Sequence, residues 1–345
     1  MEESPAEEAP VEEAPVEEVV VEEEAEGEAA ETTEIVEEPG PDPEPPEPNW
    51  LPLWISLGVL GGLVIGVLIS WLVRKLGRKK RTAKPIGNTQ NLTPVPQEPL
   101  HLQVSKLHEQ GARSSQQDSF ALSPAALIPT HGTLAVVCDG MGGLKDGDKV
   151  SQAAVSAMVN GFLELSGAPT QVLLALLGRA NRAVNQLLGP AGQRKSGTTM
   201  VAGILKNEEF HYLSVGDSRI CLYRSGELYQ LNREHVYVNE LSTRAVNDLL
   251  TFQEAWSNSQ GAGLTSFLGM GDLKYVDIPA APQKVRRGDK LILMSDGVYN
   301  ALTEQELCSA LDNGSGADAE ALGRAIADKA YDNQDNYTAV ILTIC

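Results

Sequence analysis

Residues 100–345 predict an α+β fold with antiparallel strands, on three observations. Strand-like apolar runs at 102–109, 132–138, 198–205, 209–215, 219–224, 274–279, 290–295 and 337–344 do not alternate regularly with helices, which argues against a sheet of β-α-β units. Four strands between 198 and 232 follow one another across short turns, as consecutive hairpins do. Two stretches instead carry apolar residues at helical spacing. One holds Val150, Ala154, Ala157, Met158, Gly161, Phe162 and Leu165; the other holds Leu173, Leu176, Leu177, Ala180, Val184 and Leu187.

The residues before this domain fall into three segments of different composition. The chain has 345 residues and a net charge of −20, yet residues 1–49 hold 20 Asp/Glu and no Lys or Arg. The remaining 296 residues balance 27 acidic against 27 basic groups, so the acidity belongs to the tail. The tail opens "PAEEAPVEEAPVEE" and cannot bury enough apolar surface to offset its ordering entropy; it is expected to be disordered. The folded part has no basic patch interleaved with aromatic residues, which argues against nucleic acid as a partner.

Residues 50–73, "WLPLWISLGVLGGLVIGVLISWLV", contain no charge. As a helix they would span about 35 Å, enough for a hydrocarbon core of about 30 Å. Trp50, Trp54 and Trp71 sit near the two ends, as interfacial anchors do. Seven Lys/Arg follow between Arg74 and Lys84. The positive-inside rule then places the C-terminal domain in the cytoplasm and the acidic tail outside the cell membrane. A basic juxtamembrane segment and a Pro/Asn/Thr-rich linker occupy 74–99. Within the apolar segment Gly58, Gly62, Gly66 and Ser70 recur every four residues, a small-residue stripe that suits a homodimer. Glycine is frequent in such helices in any case.

Cys138, Cys221, Cys308 and Cys345 are far apart, with no CxxC pair. That argues against a disulfide framework or a zinc site and for a reducing compartment. The chemistry lies in aspartates instead. "VVCDGMGG" ends an apolar run on Asp139; "HYLSVGDSR" and "KLILMSDGVYNAL" do the same with Asp217 and Asp296. Asp118 in "QQDSF" and Asp335 in "DNQDNYTAVIL" stand just before apolar stretches. Each alone reads first as a turn residue. Together, strands ending at one edge would gather five carboxylates, which repel unless a cation sits among them. An all-oxygen site suits Mg²⁺ or Mn²⁺. Gly140 would let its backbone approach such an ion, although a Gly-rich hairpin explains "GMGG" as well. Arg113, five residues before Asp118, could grip phosphate oxygens with two parallel hydrogen bonds.

At this point the domain resembles the metal-dependent protein serine/threonine phosphatases of type 2C in their bacterial form. The resemblance covers about 103–345. It rests on "RSSQQD" at 113–118, "DGMGG" at 139–143, "SGTT" at 196–199, "VGDSRICLYRSGELYQL" at 215–231, "LTSFLG" at 264–269, "MSDGVYNAL" at 294–302 and "DNYT" at 335–338, in the family's order. It implies a four-layer sandwich of two antiparallel β-sheets flanked by helix pairs, with metals in a cleft at one end. It implies two Mn²⁺ or Mg²⁺ ions bridged by Asp139, with the Gly140 carbonyl, Asp296 and Asp335 on the first and Asp118 acting through water. Asp217 with Asp296 matches the place of a weaker third ion, and Arg113 the phosphate-binding arginine. Residues 236–263 would form a flap over the cleft. Met141 stands where eukaryotic relatives carry a histidine assigned as general acid, so no such role falls to it.

The expectation is therefore a single-pass membrane protein whose cytoplasmic domain hydrolyses phosphoserine and phosphothreonine in proteins, partnering substrates of a serine/threonine kinase. Its rivals are a catalytically weak sensor on the same fold and a hydrolase of non-protein phosphate esters. For the membrane segment, Gly62→Ile is expected to abolish dimerisation of the isolated segment in a membrane two-hybrid assay. Equal signals from this variant and the wild type would rule out the stripe as the interface.

Overall fold

The computed structural model describes residues 101–142, 146–312 and 317–345. The expected tail at 1–49, the membrane helix at 50–73 with its small-residue stripe, the linker at 74–99 and Gly143 lie outside those residues. Among the described residues no helix is long and apolar enough to cross a membrane.

Two antiparallel sheets carry the fold. The first has the order β2 (Asp118–Leu122), β3 (Thr133–Gly142), β5 (Met200–Lys206), β6 (Glu209–Val215) and β9 (Gln283–Lys284), with β4 (Ser196–Thr198) paired to the far end of β3. The second has the order β1 (Leu102–Glu109), β11 (Tyr337–Ile344), β10 (Lys290–Met294), β7 (Arg219–Arg224) and β8 (Glu227–Gln230). Short helical turns at 125–131 join β2 to β3.

The strand sequences show why the sheets must be covered on both faces. Along β3, Leu134, Val136 and Cys138 pack under the helices α1 (Gly147–Glu164) and α2 (Pro169–Gly192), while Ala135 and Val137 face the other sheet. β10 mirrors this: Leu291 and Leu293 face inward, Ile292 and Met294 face outward. Apolar runs without polar alternation are what a strand buried on both faces requires. The outer face of the second sheet is covered by α6 (Glu304–Leu311) and α7 (Asp318–Ala327). The layers are thus helices, sheet, sheet, helices, as the resemblance implied. Cys138 and Cys221 are buried in them as small apolar side chains.

Expected strands at 102–109, 209–215, 219–224 and 337–344 match β1, β6, β7 and β11 at both ends. The expected strand at 274–279 does not form. Only Asp277 bridges to Ser214. The Tyr275 amide donates to the Ser266 hydroxyl instead of to a ladder, and Pro279 has no amide hydrogen to donate. The regular part of α2 stops at Gly189 (φ +60°) and Pro190, just beyond the last periodic residue, Leu187. The helices α3 (Tyr237–Val246), α4 (Phe252–Trp256), α6 and α7 were not foreseen. Two of them open with a capping box, Thr251/Glu254 and Thr303/Glu306, whose T-x-x-E spacing is a start signal in the sequence.

Leu293 is fully buried between the sheets. Leu293→Ala should cost the domain about 2–5 kcal/mol in urea denaturation. A loss below about 1 kcal/mol would mean that the site collapses around the deletion and that the layer is loosely packed.

Candidate active site

β3 changes partners at Asp139. Residues 133–137 pair with β5, whereas Gly140–Gly142 pair with β4. Asp139 thus sits at the corner of the strand, and Asp118, the first residue of β2, lies directly opposite in register. The corner is fixed from behind: Thr198 Oγ1 and the Thr199 amide donate to the Asp139 carbonyl at 2.8 and 2.9 Å, and the Asp139 amide donates to Thr199 Oγ1 at 3.1 Å. "DGMG" is therefore strand, not a loop beyond one.

Gly140 has a packing reason for its missing side chain. A Cβ there would stand 2.2 Å from the Gly147 carbonyl oxygen and 2.5 Å from that of Gln117. Nothing larger than hydrogen lets β3 pass between the start of α1 and the strand-entry loop of β2. At the β6–β7 turn Gly216 has φ +103°, a conformation that leads directly into Asp217.

The remaining acids arrive from the other sheet. Asp296 opens the short helix α5 (Asp296–Tyr299) that follows β10, and Asp335 precedes β11. A cleft of about 260 Å³ brings Arg113, Asp139, Gly140, Asp217, Asp296 and Asp335 together. Met141 and Leu264 also line it. Asp118 does not; it lies behind the wall, 4% exposed. Its Oδ2 accepts from Ser295 Oγ at 2.7 Å, and its Oδ1 is buried with no hydrogen-bond partner. Arg113 Nη2 donates to Asp335 Oδ2 at 2.6 Å, so the arginine expected to meet phosphate rests on a carboxylate of the cleft. A neighbouring crevice of about 290 Å³, lined by His235, Glu240, Tyr275 and Asp277 among others, contains none of these five aspartates.

Sequence reasoning missed two residues that hold this cleft in shape. Asn336 Nδ2 donates to the carbonyls of Gln110 and Ser115, and its Oδ1 accepts from the Gln117 amide, tying the Arg113 loop to Asp335. Ser295 joins Asp118 to β11 by also accepting from the Thr338 amide at 3.0 Å. Both adjoin aspartates inside motifs already singled out, and that adjacency was their signal. The expected flap holds α3 and α4, with a small core of Leu241, Ala245 and Ala255. Leu264, the residue after it, lines the cleft and bridges to Val236.

Crowding of buried acids sets the electrostatics. Burial, then the charges of Asp118, Asp296, Asp217 and Asp335, hold the Asp139 carboxyl far above the usual range. Burial pushes Asp118 up to about 6. Burial and then Asp296 push Asp217 up to about 7. Asp296 is raised by burial and then by Asp335. Among the described residues no group of three or more His, Cys, Asp or Glu is drawn tightly enough to hold an ion as it stands. The donor chemistry nonetheless fits a hard divalent cation. Four carboxylates converge on one cleft, burial and mutual repulsion raise Asp139, Asp217 and Asp296 above the usual carboxylate range, and Asp118 Oδ1 is an orphaned buried acceptor.

The profile of the protein phosphatase 2C family matches residues 108–320. The chain belongs to the protein phosphatase 2C family. Membership makes it a serine/threonine protein phosphatase. It is 32% identical over 180 residues to the protein phosphatase PhpP of Streptococcus pneumoniae strain D39, covering 51% of this chain and 71% of that protein. The fold is similar to that of the serine/threonine phosphatase of S. agalactiae, with a TM-score of 0.60 and 24% identity, over 71% of this chain and 100% of that one. It is similar also to the catalytic domain of the phosphatase PstP, solved in complex with two manganese ions, with a TM-score of 0.56 and 24% identity over 71% and 99% of the two chains. The profile of the 2C family ends before Asp335, which joins the cleft by geometry.

The raised carboxyls predict a pH response of the chelator-treated domain. A carboxyl whose folded pKa exceeds its unfolded value binds more protons when folded, so stability is lost as pH rises through the folded pKa. For Asp118 and Asp217 the window runs from about 4 to about 7. The melting temperature in EDTA should fall across that window, and added Mn²⁺ should restore it at pH 7.5. A melting temperature that rises between pH 5 and 7 in EDTA would contradict the electrostatics.

Proposed function

We propose that this phosphatase hydrolyses phosphoserine and phosphothreonine in proteins with two Mn²⁺ or Mg²⁺ ions, and with a weaker third held by Asp217 and Asp296. The observation that carries the reading is the convergence of Asp139, Asp217, Asp296 and Asp335 with Arg113 in one cleft, backed by the partnerless oxygen of Asp118. When bound, the ions supply Lewis acidity that makes water nucleophilic near neutral pH and counters charge on the phosphoryl oxygens.

The chain's own residues do the rest. Asp139, anchored at the β3 corner through its own backbone, offers its carboxylate to the middle of the cluster. Asp296 and Asp335 flank it from the second sheet. Asp118, fixed by Ser295, stays behind and can polarise water at the cluster through its free oxygen. Arg113 stands at the mouth with a fork of donors; moving from Asp335 to a phosphate would give it two parallel charge-assisted bonds. We further propose that the domain works at the cytoplasmic face of the cell membrane, anchored by residues 50–73 and paired through their small-residue stripe. The uncharged length of that segment and the seven basic residues after it support this.

Asp139→Asn should abolish nearly all phosphopeptide hydrolysis and leave the circular dichroism of the domain unchanged, because a neutral amide cannot balance cationic charge. Full activity in that variant, or in excess EDTA, would refute a metal-dependent mechanism. Arg113→Ala should raise KM roughly tenfold or more, from loss of a charge-assisted contact, with a smaller change in kcat. A large loss of kcat at constant KM would instead assign Arg113 to the transition state alone.

A further inference from the structure

Asp217 and Asp296 reach the cleft from two separate segments, the β6–β7 turn and the start of α5. Their carboxyls repel, and no direct bond between the two side chains holds them in place. One side chain spans the gap. Tyr299 ends the helix that Asp296 begins, and its Oη donates to the backbone carbonyl of Asp217 at 3.1 Å. The ring is clamped in turn. The Arg219 guanidinium lies over it, with Cζ 3.6 Å from the ring centroid, a cation–π stack. Arg219 is fixed by Glu234, Nε to Oε1 at 2.5 Å. Glu234 is anchored by Gln230 Nε2 at 3.2 Å, and its backbone carbonyl accepts from Asn239 Nδ2 of α3 at 2.8 Å. The strut therefore has a rigid far end. A hydroxyl that met only water would not need its ring capped by an arginine.

We propose that Tyr299, braced by Arg219, is a positioning residue that sets the spacing between Asp217 and Asp296 and so tunes the affinity of the weakest-bound divalent ion. Neither residue touches substrate or ion. The inference rests on the reading above, in which Asp217 and Asp296 share that ion. It places part of the metal affinity in residues that no ligand motif contains: Tyr299 lies three residues past one ligand, and Arg219 two past the other. It also gives the Arg219–Glu234 pair a use beyond stability. Glu234 sits where the chain enters the flap, so the clamp on the ion pair and the base of the flap share one ion pair.

The test is a calorimetric titration of the chelator-stripped full-length protein with Mn²⁺. Three variants are compared with the wild type: Asp217→Asn, Tyr299→Phe and Arg219→Lys. Asp217→Asn should remove the weakest binding step and so identify it. Tyr299→Phe keeps the ring under Arg219 and deletes only the donor; it should weaken that same step about 3- to 10-fold and leave the tighter steps at their wild-type affinity. Arg219→Lys keeps the charge and loses the planar stack; it should weaken the same step in the same direction. Phosphopeptide turnover by Tyr299→Phe should fall at limiting Mn²⁺ and return to within about twofold of wild type at saturating Mn²⁺. Wild-type affinity at the weakest step in both Tyr299→Phe and Arg219→Lys, with that step lost in Asp217→Asn, overturns the strut and leaves the metal reading intact. Retention of every step in Asp217→Asn overturns the assignment of an ion to Asp217, and the strut with it. Turnover of Tyr299→Phe that is equally low at all Mn²⁺ concentrations shows a merely structural role and also overturns the proposal. If Tyr299→Phe does not fold, Arg219→Lys decides the matter alone.

Discussion

Repulsion among carboxylates governs the active end of this molecule. Asp118, Asp139, Asp217, Asp296 and Asp335 come from both sheets and meet where the sandwich is open. Burial raises the free energy of the Asp118, Asp139, Asp217 and Asp296 anions, and the neighbouring carboxylates raise it further. The protein offsets this in two ways within its own chain. Asp335 has the Arg113 guanidinium at 2.6 Å, and Asp118 has the Ser295 hydroxyl at 2.7 Å. The rest is left to protonation or to a cation. A site with this arrangement is electrostatically incomplete, and that is the physical argument for the proposed cations in a cleft lined by no histidine or cysteine.

Such a cluster is tolerable because the scaffold around it is rigid and dry. Between the sheets, Val137, Leu291, Leu293, Val340 and Leu342 form a fully apolar layer. That layer fixes the mutual position of β3, β10 and β11, and with them three of the five aspartates. The corner of β3 is made possible by Gly140, which slips between two carbonyl oxygens. Gly140 is thus needed for chain packing whether or not its carbonyl also faces an ion. Polar stitching by Asn336 and Thr199 completes the frame, at points where an apolar residue would leave buried amides without partners.

The flap is built differently. Its core is three buried side chains with two partly buried neighbours, far smaller than the three main clusters. Val246, Leu249, Phe252 and Trp256 remain 48–70% exposed on it. Elements with few buried apolar contacts open at low free energy. The same molecule therefore combines a stiff acidic cleft with a loosely held neighbouring segment, joined at Glu234 and at the Val236–Leu264 bridge.

The sequence by itself determined the strands buried on both faces, because β3, β10 and β11 read as unbroken apolar runs, and it singled out five aspartates that the fold gathers at one end, because each interrupts or borders such a run. It also determined the presence of the two long helices through their period. Its failures have physical causes. The stretch 274–279 looks β-forming, but strand formation needs a partner edge, and its neighbours offered one bridge and one serine hydroxyl. The flap helices are short and mostly exposed, so their periodicity is faint, and only the T-x-x-E caps betrayed them. Tertiary structure alone decided that Asp118 lies behind the cleft wall instead of lining it, that Arg113 rests on Asp335, and that Tyr299 reaches across to Asp217. Those facts depend on which segments, more than 80 residues apart in the chain, meet when the two sheets stack, and no local pattern encodes such a distance.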